Sequence, residues 1–178
     1  MTRWSAGADS GARSGIAIVR RDKADDRPVL IGVWPVFGAD HLWLLRARDA
    51  CSEVNASTDT DVVLSIENPP KTGRTNALKG DSRGHTTWRG MGRRKGMFEG
   101  VWFCVTGRCA KSVEQSDWVS VFAGLAKKKK VGDGTHRILE ATMLVQGAGA
   151  ALKEVRKSCR VDCAEAILIA ASGLYRRS

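Results

Sequence analysis

Residues 61–67, DVVLSIE, run straight into Asn68-Pro69-Pro70, and this break constrains the chain more than any other feature. Its β-branched and aliphatic side chains read as a buried strand. Proline cannot continue a ladder, so the strand ends at Glu67 and carries a carboxylate at its tip. Residues 4–9, 16–20 and 29–36 read as three earlier strands, joined by the turns GADSGARSG and RRDKADDRP. Short links of that kind predict an antiparallel meander. Between the meander and the fourth strand, HLWLLRARDACSEV places Leu42, Leu45, Ala50 and Val54 on one helical face.

Downstream, GMFEGVWFCV reads as a short apolar helix or buried segment, and SDWVSVFAGLA as a helix with Ser116 as N-cap. HRILEATMLVQGA and VDCAEAILIAASGLYRR follow as further helices, the last being the strongest helical signal in the chain. The order βββαβ followed by helices predicts an α/β protein with a mixed sheet. A chain of 178 residues is long enough to bury roughly 70% of its unfolded surface as one domain, so residues 1–178 are expected to form a single unit.

Charge is unevenly spread along that unit. The formal net charge is +10, yet residues 1–67 carry a net −2, residues 71–96 a net +7 and residues 97–178 a net +5. The middle stretch holds six glycines and the cations Lys71, Arg74, Lys79, Arg83, Arg89, Arg93, Arg94 and Lys95. Its composition fits neither helical nor strand periodicity and predicts a basic, Gly-rich loop at about 68–96. A solvated linker would explain a charge run, but cations without nearby anions repel one another, and nucleic-acid phosphate is the usual partner. Trp88 within this stretch either stacks on an unpaired base or anchors the loop. A second run, Lys127, Lys128, Lys129 and Lys130, suits both phosphate contact and a helix C-terminus.

No window approaches the roughly 18 apolar residues of a membrane span, and MTRWSAGADSG lacks an apolar signal core. The expectation is a soluble cytoplasmic protein, associated with a nucleoid or at work in a phage-infected cell. Five cysteines without CxxC spacing predict reduced thiols rather than a zinc site. His41, His85 and His136 have no acid or serine at a spacing that suggests a triad.

The acids are more informative. Asp9 ends the first strand, Glu67 ends the fourth, and Asp162 and Glu165 lie three apart near the start of the last helix, on one face. First and fourth strands of such a sheet are commonly neighbours, which brings Asp9 beside Glu67. Asp9 could cap its own turn and Asp162 could answer a helix dipole. Glu165 within AEAILIA and Glu67 on an apolar strand resist such explanations, because an unpaired buried carboxylate is costly. A group of carboxylates with oxygen ligands only suits Mg²⁺ or Mn²⁺, and two such ions serve phosphoryl displacement.

These residues together resemble the RuvC-type Holliday junction resolvases of the RNase H-like superfamily. The likeness rests on Asp9, Ser10, Gly11, Ser14 and Gly15, on Glu67, and on the Asp162-x-x-Glu165 helix. Residues 92–100, 113–118 and 164–170 look closest to the branch holding the chloroplast and phage resolvases. The resemblance implies an RNase H-like fold with a mixed five-stranded sheet flanked by helices. It implies a homodimer that binds branched double-stranded DNA and resolves a four-way junction by paired symmetric nicks. Neither a membrane nor a nucleotide cofactor is expected. Asp9, Glu67, Asp162 and Glu165 would be the ligands of two Mg²⁺ or Mn²⁺ ions, and a lysine of the 127–130 run, taken as Lys130, would approach the scissile phosphate. The apolar stretch 97–105, with Phe98, Trp102 and Phe103, would fill the core or face the twin subunit. Two alternatives remain open: a monomeric nuclease acting on flaps or RNA–DNA hybrids, and a non-catalytic basic binding module.

Overall fold

The computed structural model describes residues 2–11, 13–23, 26–58, 62–69, 82–122 and 135–175, with the side chains of 82–88 excluded. Strands β1 (Arg3–Asp9), β2 (Ser14–Arg21) and β3 (Val29–Val36) lead into helix α1 (Asp40–Ala56) and strand β4 (Leu64–Glu67). Helix α2 (Ser82–Thr106), strand β5 (Lys111–Val113) and helices α3 (Gln115–Val121), α4 (Thr135–Leu144), α5 (Ala148–Glu154) and α6 (Arg160–Tyr175) follow. The sheet order is β3-β2-β1-β4-β5. β1, β2 and β3 pair antiparallel, as the meander predicts, while β4 lies parallel to β1 and β5 parallel to β4. This is a mixed five-stranded sheet with the RNase H-like strand order.

Alternation along the strands divides the core. Ala6, Ala8, Ile16 and Ile18 face Trp43 of α1 and Phe98 and Trp102 of α2 on one side. Ala17 and Val19 face α6 and the α3–α5 helices on the other. Helix α6 is buried on nearly every side, which explains why its sequence lacks an amphipathic pattern. It also lies unusually close to the sheet. A Cβ on Gly7 would strike the Ala170 backbone, and one on Gly15 would stand 2.8 Å from the Cys163 Cα. At the far end of α6, the Arg3 guanidinium donates to the Leu174 carbonyl at 3.2 Å, and Arg21 donates to the same oxygen.

Three local expectations are corrected. The stretch expected as a loop at about 68–96 is helical from Ser82 onward. Its C-terminal half supplies the reason: Phe98 and Trp102 are fully buried, with Met97, Val101 and Val105 packed beside them. That anchor supports a helix whose glycines alone would disfavour one. On α1 the buried face is Trp43, Ala47, Ala50, Cys51 and Val54, while Leu42 and Leu45 are exposed. The true period starts one residue later than the leucines suggest. Glu114, not Ser116, caps α3, through a capping box with Asp117. The residue pattern did not single out β5, which has three residues and one buried side chain.

No helix among the described residues is long and apolar enough to cross a membrane. All five cysteines are free.

Candidate metal centre

The parallel pairing of β1 with β4 sets Ala8 opposite Ile66, so the two strands end side by side in Asp9 and Glu67. Alternation turns Asp9 toward the same face as Gly7, the face covered by α6. The bare backbone at Gly7 and Gly15 lets that helix come down far enough to bring Glu165 to both. Ligand oxygens of Asp9, Glu67 and Glu165 lie within 4.8 Å of one another. The strand tips are themselves tied, since the Ser10 hydroxyl donates to the Glu67 carbonyl at 3.0 Å. On the other side of β4, the Asn68 amide donates to the Val113 carbonyl at 2.7 Å, and the Asn68 side chain donates to Glu114 Oε1 at 2.9 Å.

Asp162, expected as a fourth ligand, lies outside that trio. It is half-buried at the start of α6 and borders the Gly11 turn: a Cβ on Gly11 would sit 3.0 Å from Asp9 Oδ2 and 3.6 Å from Asp162 Oδ1. Its carboxylate is close enough to raise the Asp9 pKa.

Electrostatics follow from the burial. Asp9 is 4% and Glu67 5% exposed. Desolvation pushes the Asp9 carboxyl well above the usual range, with Glu165, Glu67 and Asp162 adding to it and a Gly11 backbone N–H opposing. Desolvation and Glu165 raise Glu67 to about 7, against an indole hydrogen bond from Trp118 and the charge of Arg137. Glu165 is raised by burial and by Asp162, with Arg137 opposing. Asp162 is raised by burial, with its own backbone N–H and Arg13 opposing. Every group in the cluster thus holds a proton more tightly than in water. Buried carboxylates with oxygen donors only are a good match to a hard divalent cation, which would relieve their repulsion.

Two neighbours in this set were not singled out from sequence. The Trp118 indole Nε1 donates to Glu67 Oε1 at 3.3 Å, and Arg137 Nε lies 3.4 Å from Glu165 Oε1. A tryptophan in an apolar helix shows only that its N–H needs a partner. The one arginine in α4 carries no spacing signal comparable to the lysine run. Arg13 is a further cation, exposed and close enough to oppose the rise of the Asp162 pKa.

The cationic candidates divide. Arg94 is largely buried, with its guanidinium 5.3 Å from the Trp43 ring and 3.7 Å from Asp40. Lys95 pairs with Glu99. Arg93 also reaches Asp40, at 2.9 Å, but stays 67% exposed, and Arg89 is exposed. The expected absence of compensating anions is therefore corrected, since Asp40 and Glu99 neutralise part of this stretch. Lys71, Arg74, Lys79, Lys127, Lys128, Lys129 and Lys130 lie outside the described residues, as do the side chains of Arg83 and Trp88.

No family model matches the chain, and no curated protein matches it. Among solved structures, RuvC of T. thermophilus in complex with a Holliday junction substrate is similar, with a TM-score of 0.57 and 14% sequence identity. The match covers 97% of this chain and 93% of that one. The likeness is one of fold: a mixed five-stranded sheet of order β3-β2-β1-β4-β5 flanked by helices.

Proposed function

We propose that the protein is a structure-specific endonuclease that resolves four-way DNA junctions by paired symmetric nicks. The observation that carries this reading is the meeting of Asp9, Glu67 and Glu165, two buried acids and one partly buried, from three separate elements, on a RuvC-like fold. Asp9, Glu67 and Glu165, with Asp162 at the border, would hold Mg²⁺ or Mn²⁺, two ions per site. Bound there, such ions neutralise the carboxylates and supply Lewis-acid stabilisation to the attacking and leaving oxygens of a phosphodiester.

The chain's own residues do the rest. The strand tips fix the spacing of Asp9 and Glu67, and α6 sets the height of Glu165 above them. Burial keeps bulk water from screening the carboxylates. Arg13, the exposed Arg89 and Arg93 on α2, the cations at 71–79, Arg83 and the lysine run with Lys130 would supply the phosphate contacts. Affinity would then come from backbone contacts and branched shape rather than base readout. Trp88 remains the candidate for stacking at an opened crossover. The enzyme would act as one domain, in the cytoplasm, and its assignment to the chloroplast and phage branch rests on the motif residues alone.

Paired nicking requires two subunits. On α2, Gly92, Gly96 and Gly100 recur every fourth residue, and a Cβ on any of them would meet nothing within 4 Å. Beside them Phe103 is 54% exposed, and an apolar groove of about 800 Å³ runs between α1 and α2, bordered by Leu44, Leu45, Met97 and Val101. A bare helix flank next to exposed apolar surface suits close packing against a second copy.

The test is to incubate the protein with a synthetic four-way junction, a flap and an RNA–DNA hybrid, with Mg²⁺ or with chelator, and to map the cuts. Symmetric Mg²⁺-dependent nicks in the junction are expected. Preference for the flap or hybrid would make it a different nuclease, and no cleavage of any substrate would leave a binding module.

A further inference from the structure

Arg137 and Trp118 border the carboxylates without being ligands themselves. Arg137 Nε reaches Glu165 at 3.4 Å, and its Nη1 stands 3.8 Å from Glu140 Oε2. Its guanidinium carbon lies 4.8 Å from the Trp118 ring centre. The edge of that same indole donates to Glu67 at 3.3 Å. Glu67, Trp118, Arg137 and Glu165 therefore form one continuous chain of contacts around the acid cluster, contributed by β4, α3, α4 and α6. Arg137 Nη1 and Glu140 Oε2 are both buried and make no hydrogen bond, so Glu140 holds the guanidinium by charge alone.

From this arrangement we infer that Arg137 is the resident counter-cation of the cluster, seated on the face of Trp118, and that it competes with a divalent ion for Glu165. The inference rests on the reading of Asp9, Glu67 and Glu165 as a metal site. Three like charges brought together need an opposite charge nearby, and the guanidinium supplies one. A divalent ion brings two more to the same oxygens, so both cations oppose each other there. The aromatic face gives Arg137 a place to remain once Glu165 is taken, because a cation keeps its attraction to the ring quadrupole without the carboxylate. Trp118 acts differently: its N–H orients Glu67, so it is a positioning residue that supports ion binding. The two neighbours therefore influence the cluster with opposite signs.

Mn²⁺ binding, followed by calorimetry or by the spin-resonance signal of free Mn²⁺, separates these roles without any substrate. Arg137→Gln is expected to bind Mn²⁺ more tightly by on the order of tenfold, and Arg137→Lys to stay near wild type. Trp118→Phe, which keeps the aromatic body and loses the donor, is expected to bind about tenfold more weakly. Circular dichroism melts confirm the fold of each variant, and Arg137→Met provides a second neutral side chain if Gln disturbs the packing. Unchanged or weaker binding by a folded neutral variant overturns the competition while leaving the metal site intact. Undiminished binding by Trp118→Phe overturns the role given to the indole. A wild-type protein that binds no Mn²⁺ overturns both this inference and the metal-site reading.

Discussion

Gly15 of β2 lies against Cys163 of α6 so closely that a Cβ would stand 2.8 Å from the Cys163 Cα. The helix that carries Glu165 rests on bare backbone. Gly15→Val should therefore lift α6, lowering stability by roughly 1–3 kcal/mol as overpacking does. Denaturant melts measure the loss. Mn²⁺ affinity should fall with it, because Glu165 moves away from Asp9.

Loss of a single carboxyl charge should separate cutting from binding. Asp9→Asn and Glu67→Gln are expected to slow Mg²⁺-dependent nicking by more than about a hundredfold, while gel-shift affinity for the junction in Ca²⁺ or chelator stays within a few-fold. Wild-type nicking rates in either variant would remove these residues from the reaction.

Ion-free protein should lose stability as pH rises. Glu67 titrates near 7 in the fold against an ordinary 4.5, and Asp9, Asp162 and Glu165 are raised as well. A carboxyl raised on folding favours the native state fully below its unfolded pKa, and that advantage is lost as pH climbs through the folded one. Glu67 alone would account for about 3 kcal/mol between pH 4.5 and somewhat above pH 7. Melting temperature without divalent ions should fall across that window, and added Mg²⁺ should restore more of it at pH 8 than at pH 5. An ion-free melting temperature flat from pH 4.5 to 8 would contradict this.

Gly96 offers a clean test of association. Its missing Cβ would touch nothing, so Gly96→Ala should stabilise the subunit by roughly 0.5–1 kcal/mol. Gly96→Leu should leave the fold intact yet block close approach by a second copy. Sedimentation is expected to give a dimer for wild type and a monomer for Gly96→Leu.

Much of this was legible from sequence where one residue had few options. Asp9 and Glu67 sit on strand tips punctuated by a Gly/Ser turn and a Pro-Pro break, and two neighbouring strands ending in acids leave little freedom. The apolar neighbours of Glu165 pointed to burial, and it is partly buried. Helix α2 was hidden because its glycines and cations mask a helix held by distant partners such as Trp43, whose ring meets Phe98 at 4.7 Å. On α1 three leucines outweigh in sequence the alanines and cysteine that are buried, so hydropathy points to the wrong face. Trp118 and Arg137 acquire their roles from packing among α3, α4 and α6, a relation that spacing along the chain does not encode.

The two arginines that hold the Leu174 carbonyl give the last helix a fixed anchorage roughly 14 Å from Glu165, at 1.5 Å per residue. A helix fastened at one end and seated on glycine at the other has little freedom to slide along its axis. Alignment of the acid cluster in this protein is therefore also a property of its opposite pole, where sequence changes far from Asp9, Glu67 and Glu165 can still detune the site.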